Sequence, residues 1–212
     1  FGELGKRDGQ FNVPFPVVCT EGDIVVADYG NSRLQFLSKD GSFKRKVNLR
    51  FDPGIAVDGL GRVIVTIGHQ VFVLRPNGDV MLKFGGRGQS QQHLGSNLRV
   101  AVSSSNQIII SDFGNHCLKI FDPSGSHLFT SGLRGSGPGQ LNWPFSVITD
   151  SEDNIIVVDS RNCRVSLFSR DGTFVRHVLT KERHRLVEPK GLALTHDGHL
   201  VVSDNHSLKM FQ

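Results

Sequence analysis

Ile24-Val25-Val26-Ala27-Asp28-Tyr29-Gly30-Asn31 is a short apolar run, then an aspartate, then a tight polar turn. The phrase returns as Ile108-Ile109-Ile110-Ser111-Asp112-Phe113-Gly114-Asn115 and as Ile155-Ile156-Val157-Val158-Asp159-Ser160-Arg161-Asn162. It returns again as Leu200-Val201-Val202-Ser203-Asp204-Asn205. A degenerate copy, Val63-Ile64-Val65-Thr66-Ile67-Gly68, carries Ile67 where aspartate is expected. Positions 28, 67, 112, 159 and 204 stand 39, 45, 47 and 45 residues apart. Self-similarity at such a period marks a propeller or a solenoid.

Each repeat divides into four short β-rich segments, A to D, with no helical periodicity. In the first repeat they read 16–19, 23–27, 34–37 and 43–47, and in the fourth 146–149, 154–158, 165–168 and 173–179. Glycine closes the C–D turns Lys39-Asp40-Gly41, Pro76-Asn77-Gly78, Pro123-Ser124-Gly125 and Arg170-Asp171-Gly172, where a tight hairpin needs positive φ. Segment B is apolar at nearly every position, as in a strand buried on both faces. The pattern predicts an all-β fold, a β-propeller of four-stranded antiparallel blades. Five blades are counted in a single domain, at roughly 11–49, 50–84, 85–132, 133–180 and 181–212 plus 1–5. The fifth repeat stops after segment C (208–211), and Phe1-Gly2-Glu3-Leu4-Gly5 matches Phe84-Gly85-Gly86-Arg87-Gly88. The N-terminal strand is therefore expected to close the ring, and the mid-repeat start is what an excised piece of a longer protein would show.

No apolar run approaches the roughly 20 residues that span a bilayer, and no signal-peptide pattern precedes the first repeat. Cys19, Cys117 and Cys163 form no C-x-x-C and cannot all pair, so a reduced, cytoplasmic chain is expected. The recurring aspartate reads as structural, because its carboxylate accepts hydrogen bonds from turn amides and each blade has the same turn to fix.

The net charge of +4 is unevenly placed. In a propeller the B–C turns and D–A connections emerge on one face, the A–B and C–D turns on the other. The first face collects 13 cations and 8 anions, four of the latter being the blade aspartates; the other collects 4 cations and 11 anions. Tyr29, Phe113, Phe15, Phe145 and Trp143 fall on the basic face. Cations neutralise phosphates and flat rings stack on unpaired bases, so this surface suits single-stranded nucleic acid. Phe11, Trp143 and Phe145 are equally placed to fill gaps between blades. His69, His116 and His206 come from three blades, but at unequal offsets from the aspartate position and without a compact ligand motif. No nucleophile elbow is present. The expectation is no catalysis, no metal and no cofactor.

The phrase Val25-Val26-Ala27-Asp28-Tyr29-Gly30-Asn31-Ser32-Arg33-Leu34-Gln35-Phe36 resembles the NHL repeat, as do the lead-ins Gly9-Gln10-Phe11-Asn12-Val13-Pro14 and Gly137-Pro138-Gly139-Gln140-Leu141-Asn142-Trp143-Pro144. Composition and lead-ins are most similar to the C-terminal NHL domains of TRIM-NHL proteins of the brain-tumour type, a family that usually has six blades. The resemblance implies a monomeric domain that binds single-stranded or stem-loop motifs in messenger RNA for post-transcriptional repression. By position, the contacts it implies are Phe15, Tyr29, Arg33, Arg99, Phe113, His116, Phe145, Arg161, Arg164, Lys190 and His206. The second blade departs from the pattern with Gly68-His69-Gln70. The competing reading is a protein-interaction platform that recruits partners to a ubiquitin ligase module elsewhere in a longer chain; aromatic and arginine residues are also interface hot spots.

Overall fold

Five separate antiparallel sheets follow one another along the chain in the computed structural model, which describes residues 1–20, 22–49 and 54–212. The first sheet is β1 (Pro14–Cys19), β2 (Ile24–Asp28), β3 (Arg33–Leu37) and β4 (Phe43–Asn48), and the second is β5 (Ile55–Val57), β6 (Val63–Ile67), β7 (Gln70–Leu74) and β8 (Val80–Gly85). The third is β9 (Leu98–Val102), β10 (Ile108–Asp112), β11 (Cys117–Phe121) and β12 (His127–Ser131). The fourth is β13 (Pro144–Thr149), β14 (Ile155–Asp159), β15 (Arg164–Phe168) and β16 (Phe174–Leu179). The fifth has three strands: β17 (Pro189–Leu194), β18 (Leu200–Asp204) and β19 (Ser207–Phe211). This is a five-bladed β-propeller.

Burial explains the residue pattern. The second strand is buried along nearly its whole length, as at β10 and β14, because sheets pack on both of its faces. The fourth strand alternates, as at β4 and β12, because it is the outer edge of the blade. Neighbouring blades share apolar cores: Phe36 packs with Ile55 and Val65, Val71 with Leu98 and Ile110, Ile120 with Val147 and Val157, and Val165 with Leu200 and Val202.

The expected pairing of the N-terminal strand with β19 is not among the described pairings. Leu4 bridges in parallel to Phe11, as Arg87 does to Leu94 and Arg134 to Leu141. The start of the chain thus serves as the lead-in of blade 1, with the Phe1 ring against Gly41 as Phe84 lies against Gly125. One turn of helix, α1 (Lys181–His184), capped by the Thr180 hydroxyl, replaces the glycine-rich lead-in before blade 5. The sequence shows no helical period there because four residues are too few to have one.

Candidate nucleic-acid interface

The B–C turns and the D–A connections do share one face. The Gly30, Gly114, Arg161 and Asn205 amides donate to the Asn12, Ser96, Asn142 and Glu188 carbonyls, which ties each turn to the segment entering its own blade. The blade aspartates build this rim. Asp28, Asp112 and Asp159 are fully buried, and Asp204 nearly so. Each carboxylate accepts from the lead-in: from the amides of Asn12 at 2.7 Å, Gly95 at 2.9 Å, Asn142 at 2.7 Å, and Val187 and Glu188 at 2.9 and 2.7 Å. Asn31, Asn115 and Asn162 donate to the same carboxylates at 2.8 Å and to the carbonyls of Gly5, Gly88 and Gly135. Asp112 takes the turn-amide bond expected from sequence, from Asn115 at 3.0 Å. The aspartate is structural, and what it chiefly fixes is the lead-in. Blade 2 lacks it, and there the Thr66 amide donates to Gly54 while His69 Nδ1 meets the Gly95 carbonyl.

Arg33 and Arg164 are corrected by the structure. Both are expected on the exposed rim; both are buried, at 4% and 9% exposure. Arg33 Nε donates to Asp28 at 2.7 Å, and its Nη2 to the Arg7 and Gln10 carbonyls. Arg164 Nε donates to Asp159 at 2.7 Å, and its terminal nitrogens to the carbonyls of Ser136, Gly137 and Gln140. Arg164 thus spends its donors inside the protein, and Arg33 keeps only Nη1 without a hydrogen bond, 3.6 Å from Asp8; both side chains belong to the blade framework. Lys209 does the same work in blade 5, on Asp204 and the Arg185 carbonyl, and Lys119 in blade 3, on the Ser90 and His93 carbonyls.

Removing these pairs leaves a more basic surface than the sequence count implies. Lys6, Arg7, Arg87, Arg134, Arg161, Lys181, Arg183, Arg185 and Lys190 stay exposed, and Asp8, Glu182 and Glu188 are the exposed anions of the same set. Lys190 pairs with Glu188 at 2.9 Å, both more than half exposed, a contact worth little in water.

Between blades 3 and 4 the structure brings several of the expected residues together. Phe113 stacks on Trp143 with ring centres 5.3 Å apart and planes 19° apart, and meets Phe145 edge-on at 6.2 Å. The Arg99 guanidinium lies 4.1 Å over Phe145, and the Arg161 guanidinium 5.2 Å over Trp143. The result is one continuous array with a cation at each end. Trp143 is 40% exposed and adopts a left-handed φ of 53°, with its amide donating to His116 Nδ1 at 3.2 Å. Burial lowers the His116 imidazole from its usual range and the Arg134 guanidinium pushes the same way. His116 Nδ1 thus accepts from and holds Trp143, and its imidazole is harder to protonate than a free one. An open groove of ≈ 430 Å³ runs past His116 between Asn115, Thr130, Leu133 and Arg134.

Tyr29 is half-exposed in the 3₁₀ turn Tyr29–Asn31, and His206 and Lys190 are exposed in blade 5. These three occupy the same rim but blades other than 3 and 4. The Phe15 side chain lies outside the described residues. Trp143 and Arg134 join this group although the contacts implied by the resemblance do not include them. The available signal was the residue before the proline that opens β1 and β13: Val13 and Trp143 both sit there, both with left-handed φ.

The NHL repeat family matches residues 98–121, the stretch from β9 to the end of β11. The chain is an NHL-repeat β-propeller. This NHL propeller is 38% identical over 93 residues to Protein brain tumor of Drosophila melanogaster, covering 40% of the chain and 9% of that protein. It is 51% identical over 45 residues to the B-box type zinc finger protein ncl-1 of Caenorhabditis elegans, covering 21% of the chain and 5% of that protein. The propeller thus spans less than a tenth of the length of these relatives. Virginiamycin B lyase from Staphylococcus aureus superimposes with a TM-score of 0.69 at 12% identity, covering 92% of this chain and 68% of that one. BamB from Moraxella catarrhalis does so at 0.62 and 14%, covering 90% and 55%. At such identities these two share the fold alone. Among the described residues no three His, Cys, Asp or Glu side chains are grouped to hold a metal ion, and no helix is long and apolar enough to cross a membrane.

Proposed function

We propose that this NHL propeller binds single-stranded RNA through its basic face, with the array between blades 3 and 4 as the centre of the contact. The observation that carries the reading is the continuous surface from Arg99 through Phe145, Phe113 and Trp143 to Arg161, with Arg134 beside it. Flat rings take unpaired bases, and the guanidinium groups take phosphates. Partial homology to Protein brain tumor and ncl-1 supports the same reading. By the TRIM-NHL resemblance, the ligand is an unpaired or stem-loop segment of cytoplasmic messenger RNA and the outcome is repression. The propeller itself is a reader, without catalysis.

The experiment is selection from a randomised RNA pool at two salt concentrations. Enrichment of a defined motif, with affinity that falls as salt rises, supports the reading. Salt-sensitive binding without enrichment reduces the face to a nonspecific cationic surface. No binding overturns the proposal and leaves the protein-interaction platform.

A further inference from the structure

We propose that Arg161 is a placeholder on a base-stacking seat: an unpaired base displaces its guanidinium from the Trp143 ring, and the released guanidinium takes the adjoining phosphate. This deepens the RNA reading above and rests on it. The seat itself is held at two points. Trp143 is fixed through its backbone by His116 and through its ring by Phe113, which is half-buried and braced by Phe145. Arg161 is the part that can leave. Its backbone amide is anchored on the Asn142 carbonyl, so the side chain pivots from a fixed point next to the indole. Its guanidinium makes no hydrogen bond or ion pair among the described residues; it is exposed and lies over the Trp143 ring. Arg99 differs, because its Nη1 donates to Asn97 Oδ1 and the Leu98 carbonyl while it covers Phe145. One end of the array is therefore pinned and the other is loose.

The exchange runs downhill on general grounds. A cation over an exposed ring is held weakly, whereas a base stacked on the same ring gains more, and the freed guanidinium exchanges a ring contact for a charge-assisted hydrogen bond. The seat has a consequence for ligand class. A base inside a duplex is stacked on both faces and cannot enter, so the site selects unpaired nucleotides.

The chain contains one tryptophan, so its emission reports this seat alone. The test titrates fluorescein-labelled octa-adenylate, following anisotropy of the label, and unlabelled octa-adenylate, following Trp143 emission. A blunt RNA duplex serves as the second ligand. The expected result is quenching of Trp143 with the same midpoint as the anisotropy change, and no quenching by the duplex. Trp143→Ala should weaken octa-adenylate binding about 5- to 150-fold, as for loss of one stacked base, and Trp143→Phe should restore most of it. Arg161→Gln should reduce the salt slope by about 0.7, one phosphate contact on a single strand, yet keep full quenching at saturation. Binding by anisotropy with unchanged Trp143 emission would overturn the seat and leave the RNA reading intact. Absence of any anisotropy change would overturn both.

Discussion

Arg164→Ala separates a structural arginine from a binding one. Four hydrogen bonds leave this side chain for Asp159 and three lead-in carbonyls, and the Asp159 carboxylate beneath it is fully buried. Truncation leaves a buried carboxylate facing an empty site and three carbonyls without their donor. Removing one partner of a buried pair costs about 3–5 kcal/mol. For a chain of this size each kcal/mol lowers Tm by about 2–4 °C, so the expected drop is about 6–20 °C. The control is Arg161→Ala, an exposed position, where the change should stay within about 0.5 kcal/mol. The assay is urea unfolding followed by circular dichroism, with RNA affinity measured well below the midpoint and corrected for the folded fraction. Arg164→Ala should lose stability and retain affinity, and Arg161→Ala should do the reverse. A loss of less than about 1 kcal/mol in Arg164→Ala, together with weakened RNA binding, would refute the assignment of this residue to the blade framework.

Three further outcomes follow from the titratable groups. Burial pushes the Asp204 carboxyl up, but Lys209 and the Val187 and Glu188 amides outweigh it and hold the group below the usual carboxylate range. The ionised form is therefore the stabilising one. Its contribution should be complete above about pH 4 and should disappear as pH falls through the lower native value. The stability gap between wild type and Asp204→Asn in urea unfolding should close over that acid range. His116 is depressed by burial and by Arg134, so its contribution is complete above about pH 6.5 and is lost as pH falls toward the native value. Trp143 emission should shift on acidification through that window, and His116→Gln should abolish the shift. Burial pushes the Cys117 thiol up to about 12 while Cys19 is exposed. Brief iodoacetamide treatment near neutral pH, read by mass spectrometry, should therefore label Cys19 and spare Cys117.

The fold was legible because propeller blades repeat their chemistry. The apolar run, aspartate and polar turn locate β2, β10, β14 and β18, and the glycines of the C–D turns separate the outer strands. The three strands of blade 5 were legible too, as segments A, B and C. What pairs with β19 was not: a match between Phe1-Gly2-Glu3-Leu4-Gly5 and the end of β8 fixes the position of a segment, not its partner.

The site was read less well, for a physical reason. A residue just beyond a polar turn looks exposed, yet Arg33 and Arg164 lie directly across the hairpin from Asp28 and Asp159. The spacing of five residues from aspartate to a strand-C cation carried that information, and it recurs in blade 5 as Asp204 and Lys209. Pairing of Phe113 with Trp143 had no such signal. It joins a turn of blade 3 to the lead-in of blade 4, a contact set by how neighbouring blades pack.

The central claim, that one face of this propeller reads RNA, is tested most directly by ultraviolet crosslinking to an enriched RNA, with the crosslinked peptides mapped by mass spectrometry. RNA bound to the basic face should crosslink to residues 97–99, 113–116, 134, 143–145 and 161 and leave the A–B and C–D turns unmodified. Crosslinks concentrated on the turns around Asp58, Asp122 and Asp171 would place the RNA on the acidic face and contradict it.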